Sequence, residues 1–281
     1  MAKLKNASAD EIQHLLELFP LSVLKQNWDN RGRNKEEICA AIAKEVDYRK
    51  IATFVTRNFA RCKQHSYVLL ASGGDSAEPE ASFPYADPLG TVDGKSVYLG
   101  VAKYTVLLRD PFEQAEVNLL WPMRVEQGNN ATIVSFIVME KDVPRLFDRE
   151  VINSRRHVDE KLITQAIRAT GYDSVDLNKG VKTLWSRDYM DAFKVKFKKP
   201  RPTTTESMDR ERGIKATEPE LYKEMQRLPI YESMFRVSPK SESSVDVFQV
   251  NPTEGSIRMT RYTEGQGDSD EIVEAILSKN F

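Results

Sequence analysis

Val97-Tyr-Leu-Gly-Val-Ala-Lys-Tyr-Thr-Val-Leu-Leu108 is rich in β-branched and aromatic residues, and the stretches Glu116–Val125 and Thr132–Met139 share its character. Asp110-Pro111 and Gly128-Asn-Asn130 separate the three. β-prone runs divided by short turn signals predict a three-strand antiparallel meander. Working back toward the N-terminus, the strand-like period begins at Lys95. Before it, Ser72-Gly-Gly-Asp-Ser-Ala-Glu-Pro79 and Phe83-Pro-Tyr-Ala-Asp-Pro-Leu-Gly90 are dense in chain breakers. Residues 71–94 are therefore expected to be a linker or a long surface loop.

Residues 1–70 read as helical. Ser8-Ala-Asp-Glu11 fits a capping box ahead of Ile12, Leu15, Leu16 and Phe19 at helical spacing. Pro20 restarts the chain into a second helix carrying Leu21, Leu24 and Trp28, with Trp28 expected in the core. Asp29-Asn-Arg-Gly-Arg-Asn34 is a turn, and Asn34 caps a third helix with Ile38, Ala41 and Ile42 inward. A fourth is expected from about Asp47 to His65, with Ile51, Phe54, Val55, Phe59 and Cys62 as its apolar stripe.

Beyond the meander, Asp159–Thr170 predicts a helix stopped by Gly171. Residues 174–185 suggest a short strand. Phe193-Lys-Val-Lys-Phe-Lys-Lys199 alternates strictly, placing Phe193, Val195 and Phe197 on one face and the lysines on the other; Pro200-Arg-Pro-Thr-Thr-Thr-Glu206 breaks it. Glu218–Arg227 reads as a helix, Val245–Val250 with Ser256–Tyr262 as a hairpin, and Ser269–Leu277 as a closing helix. The expected class is α+β: a small helical domain over 1–70, a linker over 71–94, and an antiparallel-sheet domain with packed helices over 95–281.

The 281 residues are 40% hydrophobic and 30% charged, enough apolar material for a real core. No apolar run is long enough for a membrane span. Met1-Ala-Lys-Leu-Lys-Asn6 leads into no apolar stretch, so a soluble intracellular protein is expected, with no membrane partner. Cys39 and Cys62 are the only cysteines, too few for a disulfide framework. Net charge is −1 but uneven: residues 1–70 carry +4, residues 71–150 carry −6 and the remainder +1. A basic head on an acidic middle fits a head that meets a polyanion, and it fits an ordinary solvated surface as well.

Catalytic signatures are sparse. Gly90-Thr-Val-Asp-Gly-Lys-Ser96 approaches the phosphate-loop pattern but has three intervening residues instead of four, and no helix follows. A β-turn at Asp93-Gly94 accounts for it. Asp87, Asp93 and Lys95 resemble a metal-dependent nuclease trio by type, but are crowded into one segment. No Gly-x-Ser-x-Gly elbow occurs, Cys62 falls on an apolar helix face, and His65 reads as a helix-end histidine. No catalytic, cofactor or metal residue is assigned.

Basic side chains are the candidate site. Arg31, Arg33 and Lys35 gather at the third helix's start; Lys50, Arg57 and Arg61 share a face of the fourth; Lys194, Lys196 and Lys198 line one face of a strand. Solvation, or protection of a strand edge, explains the same patterns. Residues 19–44 resemble a SAP motif through Phe19, Leu21, Leu24, Arg31-Gly32, Lys35, Ile38 and Ile42. That resemblance implies a helix–loop–helix contacting DNA phosphates. Phe19-Pro-Leu-Ser-Val-Leu-Lys-Gln-Asn-Trp-Asp29, Arg33-Asn-Lys-Glu-Glu-Ile38 and Ser186-Arg-Asp-Tyr-Met-Asp-Ala-Phe-Lys194 resemble the centromere protein N family of kinetochore subunits. This second resemblance implies a pyrin-like helical head that meets a nucleosome, and a C-terminal part that pairs with a sister subunit. The chain departs from that family where Gln13 and His14 stand at an expected basic position beside Asp10 and Glu11. The expected function is a non-enzymatic binding protein of a DNA-associated assembly, with DNA or nucleoprotein as one partner and a protein as another. The nucleus would follow from the kinetochore resemblance, the cytoplasm otherwise. A nucleic-acid-processing enzyme and a protein-only adaptor are the alternatives.

Overall fold

The computed structural model describes residues 1–28, 32–73, 76–128, 130–139, 147, 149–198, 204–209, 212–238, 247–263 and 268–281, without the side chains of 198, 204 and 205. The capping box at Ser8 is made: Glu11 N donates to Ser8 Oγ, and Ser8 N donates to Glu11 Oε2. It starts α2 (Ala9–Glu17), which follows a single-turn α1 (Ala2–Asn6). Pro20 precedes α3 (Leu21–Asn27), and Asn34 caps α4 (Lys35–Glu45) by accepting from Glu37 N. Gly32 passes close over the start of α4, where a Cβ would sit 2.7 Å from Glu37 Cβ. Asp47 caps α5 (Tyr48–Asn58), which tightens into a 3-10 turn, Phe59–Arg61.

The chain then enters β1 (Gln64–Ala71), where a helical tail to His65 was expected. The Tyr67-Val-Leu-Leu70 run finds strand partners on both sides, and that pairing overrides the helical reading. Residues 71–94 are likewise more than a linker. They hold a 3-10 turn, Pro79–Ser82, and β2 (Asp87–Val92), which pairs with β3 (Lys95–Leu108). The Asp93-Gly94 turn between them has φ of 51° and 75°, as a tight hairpin needs. The meander follows as read: β3, β4 (Glu113–Gln127) and β5 (Thr132–Ile137), with Lys95 opposite Glu126 and Leu108 opposite Glu113.

A further strand, β6 (Val151–Arg156), pairs with the outer half of β3, and α6 (Glu160–Ala169) and β7 (Tyr172–Ser174) come next. Asn178–Ser186 forms α7 in place of the expected strand, because Val181, Leu184 and Trp185 meet the core at helical spacing. Then come β8 (Met190–Lys198), β9 (Thr204–Met208), α8 (Ile214–Thr217), α9 (Pro219–Met225), β10 (Ser233–Val237), the hairpin β11 (Val247–Asn251) and β12 (Ser256–Met259), and α10 (Asp268–Asn280). Residues 29–31, 199–203, 245 and 246 lie outside the described residues, and with them parts of the predicted turn, break and hairpin.

The strands form one antiparallel sheet in the order β2-β3-β4-β5-β1-β12-β11-β10-β8-β9, with β6 on β3 and β7 on β1. The fold is α+β. The helical head packs on the sheet itself: Leu15, Phe19, Ile38 and Val55 share a core with Val97, Leu99, Leu120 and Ile137. On the other face of β3 and β4, Trp121 and Phe136 pack with Ile163 and Ile167 of α6. A third core joins α7, α9 and α10 to the C-terminal strands. Among the described residues, no helix is long and apolar enough to cross a membrane.

Candidate nucleic-acid interface

Lys35 occupies the first turn of α4, but its side chain reaches back across the head. Its Nζ donates to Glu17 O at the end of α2, an exposed-carbonyl end that favours a cation. The same Nζ lies 5.4 Å from the centre of the Tyr262 ring, and Lys63 Nζ lies 5.0 Å from it. Tyr262 follows β12 and Lys63 precedes β1, so the sheet's central strand pair carries these groups up to the head. Burial pushes the Lys35 ammonium below the usual lysine value, and the neighbouring Lys63 charge adds to that. Two cations held on one partly exposed ring form a positive seam between head and sheet.

The other predicted head cations are distributed differently. Arg33 is exposed beside Lys35, with its backbone N donating to Glu37 Oε2. Arg61 leaves the face of α5, because the helix ends at Asn58, and its Nη1 donates to Gln26 Oε1 on α3 at 2.8 Å. Lys50 is exposed on α5. Arg57 lines a small cavity of about 70 Å3 with Asp93, Lys95, Arg124 and Asp270, away from the Tyr262 seam. Arg31 lies outside the described residues.

The lysine stripe of β8 is an interior strand face, not an edge. Lys194 Nζ pairs with Glu206 at 2.9 Å, and Lys196 Nζ with Glu232 at 2.7 Å. Those carboxylates offset its charge. The Lys198 side chain is outside the description. The strict alternation also breaks: the β8–β10 register shifts between Met234 and Phe235, so Ala192 faces the core with Val195 and Phe197, while Phe193 turns out beneath Arg236.

The residues weighed for catalysis do not converge. Asp87 accepts from Lys3 N at 2.6 Å, whereas Lys95 pairs with Asp270 and Glu126. Among the described residues, no group of three or more His, Cys, Asp and Glu is placed to hold a metal ion. Cys39 and Cys62 are buried and unpaired in disulfides, and burial raises both thiol pKa values. His65 is a strand residue and not a helix end; burial, with Arg258 alongside, pulls its pKa down to about 4.

Lys63 and Tyr262 escaped the sequence reading. Lys63 had a signal, standing two residues from Arg61, whereas Tyr262 is brought in only by the pairing of β12 with β1. Trp28 is half-buried, its ring 4.2 Å from that of Phe54. Known protein families, curated proteins and solved structures provide no match to this chain.

Proposed function

We propose that the protein is a non-enzymatic binding subunit of a DNA-associated assembly, organised like the kinetochore proteins of the centromere protein N family, with its head as the polyanion-contacting part. The observation that carries this reading is the seam in which Lys35 and Lys63 share the Tyr262 ring, with Arg33 exposed two residues from Lys35. Ammonium and guanidinium groups gathered in such a seam meet phosphates without reading bases, so the contact is positional and not sequence-specific. Lys194 and Lys196, neutralised by Glu206 and Glu232, are left out of it. A nuclear location belongs to this reading, as does a protein partner for the C-terminal strands.

The test is binding of the full chain to labelled duplex DNA at falling salt. Binding that strengthens steeply as salt falls, and is indifferent to sequence, supports the proposal. Absence of binding at the lowest salt leaves a protein-only adaptor as the better reading.

A further inference from the structure

A groove of about 420 Å3 opens where the head meets the upper part of β3 and β4, remote in the fold from the Tyr262 seam. Its floor is Ala7, Val101 and Leu120; Asn6 and Asn118 supply carboxamides at its rim. Its wall is Tyr85, which is 65% exposed and held at φ 48°, a conformation costly for a bulky residue. The backbone places that ring deliberately. β2 begins at Asp87, opposite Leu99, and β6 pairs with β3 only from Tyr104, so among the described residues a short stretch of the β3 edge beside Tyr85 pairs with neither strand. Gly100 lets the segment lie close, since a Cβ there would be 3.2 Å from Pro84 O.

Two ammonium groups converge on this ring. Lys103 Nζ is 4.7 Å and Lys3 Nζ 5.6 Å from its centre. Several lysines elsewhere meet carboxylates, among them Lys95 with Asp270, Lys194 with Glu206 and Lys196 with Glu232. Lys3 and Lys103 form no side-chain ion pair among the described residues. The one carboxylate at the rim, Glu11, is engaged by Ser8 N and Ser8 Oγ in the capping box. Lys3 is fixed in place because its backbone N donates to Asp87.

An exposed flat ring, two ammonium groups beside it that form no side-chain ion pair among the described residues, hydrogen-bonding amides and a small-molecule volume call for an anion on a planar body. We infer that this groove binds a free nucleoside monophosphate, with the base against Tyr85 and the phosphate between Lys3 and Lys103. This inference is independent of the DNA reading.

The experiment is calorimetric titration of the full chain with AMP, adenosine and inorganic phosphate, on wild type, Lys103→Gln, Tyr85→Ala and Lys63→Glu. Thermal midpoints check that each variant is folded. AMP should bind more tightly than adenosine or phosphate alone. Lys103→Gln should weaken AMP at least about tenfold, the loss expected of one charged hydrogen bond. Tyr85→Ala should weaken AMP while leaving phosphate nearly unchanged, and Lys63→Glu should leave AMP binding intact. No binding of AMP at 10 mM, adenosine binding as tightly as AMP, or folded Lys103 and Tyr85 variants that bind like wild type would each overturn the inference.

Discussion

His65 and Trp28 show how one side chain's setting fixes a measurable quantity. In the unfolded chain His65 takes up its proton near its ordinary value of 6.5, whereas in the folded chain burial delays that to about 4. The folded state therefore gains nothing from His65 above pH 6.5 and loses stability progressively as pH falls from about 6.5 to about 4. A pH series of denaturant midpoints should show wild type losing stability across that window relative to His65→Gln; parallel curves would show the imidazole to be solvated. Trp28, expected in the core, packs against the head's core half-buried, its ring on Phe54. Trp28→Ala should therefore cost about 2 kcal/mol in denaturant unfolding, below the 3–5 kcal/mol of a fully buried aromatic. An unchanged midpoint would mean the ring contributes nothing to the head. The helix-end reading of His65 failed because its setting depends on strand partners far along the chain. Ser8, Glu11 and Asn34 were legible because their hydrogen bonds span three residues.

Among the elements, α10 has the most specific attachment. Its first turn presents Asp270, which takes Arg124 Nη2 at 2.5 Å, Arg124 Nη1 at 3.1 Å and Lys95 Nζ at 2.8 Å. The Arg124 side chain is 6% exposed and also lies against the Phe59 ring. Burial works to raise the Asp270 pKa, but Arg124 and Lys95 prevail and hold it below the ordinary aspartate value. Asp270→Asn leaves a buried guanidinium without its counter-charge and should cost about 3–5 kcal/mol; a variant within 1 kcal/mol of wild type would show the network to be solvated. Farther along, α10 crosses α7 so closely that a Cβ on Gly180 would lie 2.2 Å from Ile276 O. Gly180→Ala should cost roughly 1–3 kcal/mol from overpacking, read from the thermal midpoint. The helical spacing of Val181, Leu184 and Trp185 was present in the sequence, but the segment was short enough to pass for a strand. The bulge at Phe193 had no local signature, since it depends on where β10 pairs.

At the scale of the whole molecule, the head and sheet share one core through residues such as Phe19, Val55, Leu99 and Leu120. Strand β1, directly after the head, lies at the sheet's centre between β5 and β12. Head and sheet should accordingly unfold in a single calorimetric transition; a separate early transition for the head would contradict the shared core. The meander, the hairpin of β11 and β12 and the α+β class were readable from local period and turn chemistry. The candidate interface was readable only in part. Lys35 and Arg33 stand out by sequence, but the seam exists because β12 carries Tyr262 to β1 and so to Lys63.

The most direct measurement of the central claim compares the salt dependence of duplex DNA binding by wild type and by the Arg33→Glu/Lys63→Glu double variant. Neither side chain is part of the head's apolar core, so the variant should stay folded, as its thermal midpoint would check. Each phosphate contact contributes roughly 0.9 to the log–log slope, so loss of two should flatten it by about 1.8 and weaken binding at low salt. A variant slope equal to that of wild type, or no wild-type binding at the lowest salt, would contradict the account.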